Sequence, residues 1–92
     1  MSADEPQNIA GFEWDGGNVD KNYLKHGVSN TEAEEVFFDD TLIVFEDVEH
    51  SQHERRYRCL GKTDKDRKLF VFFTVRNSKI RIISVRDMNK KE

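Results

Sequence analysis

From Thr41 onward, apolar residues recur at every second position, and only a few residues join the segments that carry this period. "TLIVFED" begins the series at Thr41. "ERRYRCLG" follows; alternation puts Tyr57 and Cys59 on one side and Arg56, Arg58 and Leu60 on the other. "LFVFFTVR" is apolar on both sides, the pattern of a strand covered on both faces, and is expected at the centre of a sheet. "IRIISVR" closes the set. The links are "KTDKDRK", a charged turn, and "NSK", where Asn77 and Ser78 favour tight-turn geometry. Connections this short cannot cross over to a parallel neighbour, so these strands are expected to form an antiparallel meander.

The first forty residues follow another pattern. Residues 1–11 are polar, carry the only proline and are expected to be a flexible start. "FEW" alternates Phe12 and Trp14 around Glu13 as a short strand. "GGNVDKNYLKHG" predicts a short helix with a narrow apolar stripe of Val19, Tyr23 and Leu24, stopped in left-handed geometry at Gly27. A second helix is better signposted. Ser29 and Glu32 have the spacing of a capping box, in which each side chain satisfies an orphan amide of the first turn. Val28 and Ala33 stand where a hydrophobic staple would, and Ala33, Val36 and Phe37 form an i, i+3, i+4 stripe. Asp39 and Asp40 oppose the helix dipole, so the helix should end near Phe38. The expected architecture is α+β: a short N-terminal strand, two helices, then a mostly antiparallel four-stranded sheet with the helices on one face. Residues 12–92 are expected to form this single domain.

Ninety-two residues allow one domain with a modest core. The longest apolar run, Leu69 to Phe73, is far short of the ~18 residues that span a membrane. There is no basic-then-apolar start of the signal-peptide kind. A lone cysteine, Cys59, cannot form an internal disulfide and suits a reducing cytoplasm. The net charge of −3 hides an asymmetry. Met1 to Glu54 hold two Lys and fourteen acids, net −12; Arg55 to Glu92 hold thirteen Lys and Arg and four acids, net +9. Either the basic half faces a polyanion such as nucleic acid, or the two halves neutralise each other on folding.

The charge is densest in "DVEHSQHERRYRCLG". His50 and His53 are three apart, with only His26 and Cys59 as further soft ligands, so the clusters of a structural zinc site are missing and no metal is expected. Cys59 alternates inside a strand beside Tyr57 and is expected to pack, not to attack. Phosphate chemistry fits better. Cutting RNA without a metal needs a base for the ribose 2′-hydroxyl, cations for the charged five-coordinate phosphorus, and an acid for the departing 5′-oxygen. His50 or Glu54 could serve as base or acid, and Arg56 as clamp, its planar fork meeting two phosphate oxygens. Arg81 and Arg86 add cations from the last strand. Being five apart, they point to opposite faces of a regular strand and share a pocket only if a bulge or the strand's end intervenes. The plainer alternative is a solvated β-edge with cross-strand Arg–Glu pairs.

"FEWD", "NYLKHGVS", "EAEEVFFD", "HSQHERRY" and "IRIISVRD" occur in this order from Phe12 to Asp87. The chain thereby resembles the BrnT family, the toxin half of bacterial type II toxin–antitoxin pairs. That resemblance implies an α+β ribonuclease fold similar to RelE-type toxins. It also implies metal-independent RNA cleavage without a cofactor, and arrested translation and growth when the toxin is free. The implied partner is a cognate BrnA-like antitoxin that binds DNA, wraps the toxin in a hetero-oligomer and neutralises it. Matching positions are Lys25, His26, His50, Ser51, Glu54, Arg56, Arg81, Ser84 and Arg86. The expected catalytic set is His50, Glu54, Arg56, Arg81 and Arg86, with Lys25, His26 and Ser84 binding the substrate. Asn18 departs from the family's usual lysine, and the tail at "MNKKE" is short for the family, which would weaken RNA grip or antitoxin contact. A second class of function stays open: a non-catalytic module binding RNA or a protein through the same basic face.

Overall fold

A computed structural model describes residues 10–51 and 53–92. Of the segment expected to be flexible, all but Ala10 and Gly11 lies outside the described residues. The elements are β1 (Gly11–Phe12), α1 (Lys21–His26), α2 (Asn30–Glu35) running into a 3₁₀ turn (Val36–Phe38), β2 (Ile43–Glu46), a second 3₁₀ turn (Val48–His50), β3 (Arg56–Lys62), β4 (Lys68–Arg76) and β5 (Lys79–Asp87).

The strands form one sheet in the order β1-β5-β4-β3-β2. β2 to β5 are the expected antiparallel meander, with the apolar β4 in the middle. Asn77 and Ser78 both take positive φ, 52° and 62°, as a two-residue hairpin turn requires. The α+β class holds, but the sheet has five strands and is mixed, not four-stranded. β1 joins it parallel to β5, pairing Gly11 with Lys79 and Phe12 with Ile80. An alternating pattern tells which way side chains face and is silent about which neighbour a two-residue strand takes.

β1 covers only the start of β5. Beyond it, two buried asparagines satisfy the strand's open edge: Asn18 Nδ2 donates to Ile82 O at 3.1 Å, and Val85 N donates to Asn22 Oδ1 at 3.0 Å. This overturns the expected apolar stripe of the first helix. Tyr23 is 60% and Leu24 85% exposed, while Asn22 is 3% exposed. A six-residue helix buries little area, so the hydrogen bond to an otherwise unpaired strand amide decides which face turns inward. Gly27 ends α1 in left-handed geometry, as expected.

α2 starts on the predicted capping box: Ser29 Oγ accepts from Glu32 N, and Ser29 N donates to Glu32 Oε1, both at 3.1 Å. The helical segment ends at Phe38 through the 3₁₀ turn. Val28, Ala33 and Val36 are fully buried against one face of the sheet, which contributes Tyr57, Cys59, Leu69, Val71, Phe73, Ile80, Ile82 and Val85. Trp14 packs at the rim of this core, and its Nε1 donates to Glu34 Oε2 at 2.6 Å. At Gly61 the 3₁₀ turn crosses β3 so closely that a Cβ would lie 2.7 Å from Val36 Cγ1.

Candidate functional site

The helices bury the inward residues of the sheet and leave its opposite face without helix cover. Strand register arranges that face in rows. Arg56, Thr74 and Arg81 form one row; Phe45, Arg58, Phe72 and Ser84 the next; Ile43, Leu60, Phe70 and Arg86 a third. Over β3, β4 and β5 its positions include eight Lys and Arg and no Asp or Glu.

A bulge makes this face possible. Phe72 pairs with Ser84 and Phe73 with Ile82, so Ile83 is skipped and the alternation of β5 resets. Arg81 and Arg86, five residues apart, therefore lie on one face. Without the bulge Arg81 would enter the core side. The two are still at opposite ends. Arg81 reaches back to the β1 end, where its Nη1 donates to Glu13 Oε1 at 3.0 Å and Asp15 Oδ2 at 2.8 Å. Arg86 lies over the Phe70 ring, 4.7 Å from its centroid, and its fork meets the Glu92 carboxylate at 2.9 and 2.8 Å.

The densest charge is at the Arg81 end. Arg56 and Arg81 flank Thr74 on its two neighbouring strands, about 10 Å apart between Cα atoms. Thr74 is buried, and its Oγ1 donates to Arg55 O at 2.8 Å, which ties the incoming loop to the sheet. Ser51 secures the same loop: Arg56 N donates to its Oγ at 3.0 Å, and that hydroxyl donates to Asp47 O at 2.7 Å. The loop delivers Glu54, which accepts two 2.9 Å bonds from Arg76. Arg76 holds the Glu54 carboxyl below its ordinary range, with Arg56 and Arg81 adding to the effect against partial desolvation. Glu54 is therefore an ionised acceptor at neutral pH, and a poor proton donor.

Arg56 and Arg58 make no ion pair among the described residues. Arg58 lies over the Phe45 ring, 4.5 Å from the centroid, with its Nε buried and without a partner among the described residues.

The expected site residues thus divide. Glu54, Arg56 and Arg81 gather at one end of the helix-free face. Ser84 is at its middle and Arg86 at its far end. Lys25 and His26 are not brought to Glu54: they end α1, where His26 helps hold the Asp87 carboxyl low after the dominant effect of Arg67. The Arg67 fork grips Asp87 at 2.7 and 2.9 Å and also donates to Gly27 O, so that corner is a structural clamp. The His50 side chain lies outside the described residues. Cys59 is a packed thiol whose pKa is pushed up to about 12 by burial, so it is no nucleophile. Reading along the chain missed Arg58 and Arg76. Alternation with Arg56 already put Arg58 on the same side; nothing linear joins Arg76 to Glu54, 22 positions away.

Such a face, cationic and set with aromatic rings, can hold a single-stranded polyanion and place a carboxylate beside two guanidinium groups. In comparisons with known proteins, the family model described as "Ribonuclease toxin, BrnT, of type II toxin-antitoxin system" matches residues 14–92. No curated protein matches the chain.

Proposed function

Since the chain belongs to the BrnT family of ribonuclease toxins of type II toxin–antitoxin systems, we propose that its helix-free sheet face binds single-stranded RNA and cuts it where Glu54, Arg56 and Arg81 converge. Membership in such a family implies RNA targets and a cognate antitoxin. The observation that carries the reading is the bulge at Ile83, which puts Arg81 on the face of Arg56 beside the Glu54 carboxylate.

In this mechanism Glu54 accepts the proton of a ribose 2′-hydroxyl, and the freed oxygen attacks the adjacent phosphorus. Arg56 needs no rearrangement to receive the phosphate, because no carboxylate among the described residues holds it. Arg81 exchanges Glu13 and Asp15 for phosphate oxygens, one set of anions for another, so its charge stays compensated throughout. Glu54 starts ionised and serves at the 2′-oxygen, so protonation of the departing 5′-oxygen is assigned to His50. Arg86 and Ser84 hold the strand further along the face, and Lys25 and His26 contribute only to RNA that reaches beyond β5. The cations replace a metal in stabilising the phosphorane. A BrnA-like, DNA-binding antitoxin forming a hetero-oligomer over this face would silence the toxin in the cytoplasm.

A second reading has its own support: Arg81, Arg86 and Arg76 are all occupied by carboxylates. That suits a binding module with no catalysis. Purified protein incubated with RNA in EDTA separates the two. The nuclease reading expects shortened RNA, and roughly 100-fold slower cutting by Arg81→Ala, the scale of losing one donor to a transition-state anion. Salt-sensitive binding without cutting selects the module. Cleavage abolished by EDTA and restored by added metal contradicts the metal-independent mechanism.

A further inference from the structure

We propose that Arg58, seated on Phe45, is a base-reading residue that recognises a guanine of the bound strand. This rests on the reading of the helix-free face as the RNA surface. Arg58 is in the row next to Arg56 and Arg81, about 7 Å along the strand from the proposed point of cleavage. A base recognised there neighbours the scissile linkage.

Three features combine at Arg58 and at no other described arginine. It has no ion pair among the described residues, whereas Arg67, Arg76, Arg81 and Arg86 each hold a carboxylate. Its plane is supported by the Phe45 ring, 4.5 Å below the guanidinium carbon. And its Nε is out of water with no acceptor among the described residues. A buried donor without a partner is costly to maintain, and a turn of the side chain that brings it to an incoming acceptor would relieve that cost. Arg58 is half-buried, so part of the residue is reachable from solvent.

The surroundings favour a base over a phosphate. The row neighbours of Arg58 are Phe45 and Phe72, and Leu60 follows it on β3. Phosphates keep their hydration and suit the charged end near Arg56, whereas bases stack on aromatic and guanidinium planes. A planar fork matches two adjacent acceptors, and guanine offers them as O6 and N7. Adenine puts a donor beside N7, and uracil has a single acceptor on that edge.

Short 2′-O-methyl oligoribonucleotides provide the probe, because a blocked 2′-oxygen prevents cleavage. Each carries one G, A or C in a uridine background or is uridine throughout, and binding is followed by fluorescence anisotropy. Wild-type protein should bind the G-containing strand about tenfold more tightly than the others, the scale of one bidentate base contact. Arg58→Ala and Arg58→Lys should both erase that preference while binding all four strands alike. Lysine keeps the charge and loses the fork, so it separates reading from attraction. Uniform weakening on every strand by Arg58→Ala, or wild-type binding with no preference for G, overturns the proposal and leaves the RNA surface standing. Failure of the wild-type protein to bind any strand overturns both.

Discussion

In the proposed mechanism Glu54 acts as a base while Arg76 engages both of its oxygens. The pairing fixes the carboxylate near Arg56 and Arg81 and also lowers its basicity. On the proposed mechanism the ionised form is the active one, so activity should be lost as pH falls through the Glu54 pKa, which Arg76 keeps below the ordinary carboxylate range. Arg76→Ala removes the largest cause of that lowering, so the Glu54 pKa should rise. The acid limb of the pH–rate profile should then move to higher pH, while the limb set by the proton donor stays in place. An acid limb that does not move, or moves to lower pH, would mean that Glu54 is not the base.

Elements differ in how openly the residue order announces them. The meander was legible because alternation is a local property, and the Asn77–Ser78 turn and the Ser29–Glu32 capping box are local too. The bulge was not, because "IRIISVR" reads as a regular strand and skips Ile83 only in register with β4. α1 was misread for a related reason: its inward face is chosen by a strand edge that comes sixty residues later, through Asn22 and Val85. Gly61 shows the same dependence on packing. Its missing side chain leaves room for Val36 and Leu42, which a Cβ would approach to 2.7 and 3.1 Å. Gly61→Ala should therefore destabilise the fold by ~1–3 kcal/mol through overpacking, read as a lower urea midpoint with an unchanged slope. An unchanged midpoint would mean that the 3₁₀ turn is not held against β3.

Across the whole molecule, both readings of the charge asymmetry are realised. The acidic half does neutralise the basic half: Arg55 meets Glu46, Arg67 meets Glu32, Arg76 meets Glu54, and Arg81 meets Glu13 and Asp15. These pairs lie at the margins, and most are exposed enough to add little stability individually. Between them the sheet keeps a face of eight cationic positions, with Arg56 and Arg58 unpaired among the described residues. Of the candidate site, Glu54, Arg56 and Arg81 were named from their residue types and gather at one end of the face; Lys25 and His26, implied by the family resemblance alone, do not join them, because family patterns align positions along a chain and carry no distances. The central claim is that RNA lies on the helix-free face. Titrating isotope-labelled protein with a 2′-O-methyl oligoribonucleotide and following backbone amide NMR shifts tests it directly. The largest shifts should fall on Arg56, Arg58, Phe72, Arg81 and Ser84, with α2 unmoved. Shifts concentrated on α1 and α2, with β3 and β5 silent, would contradict it.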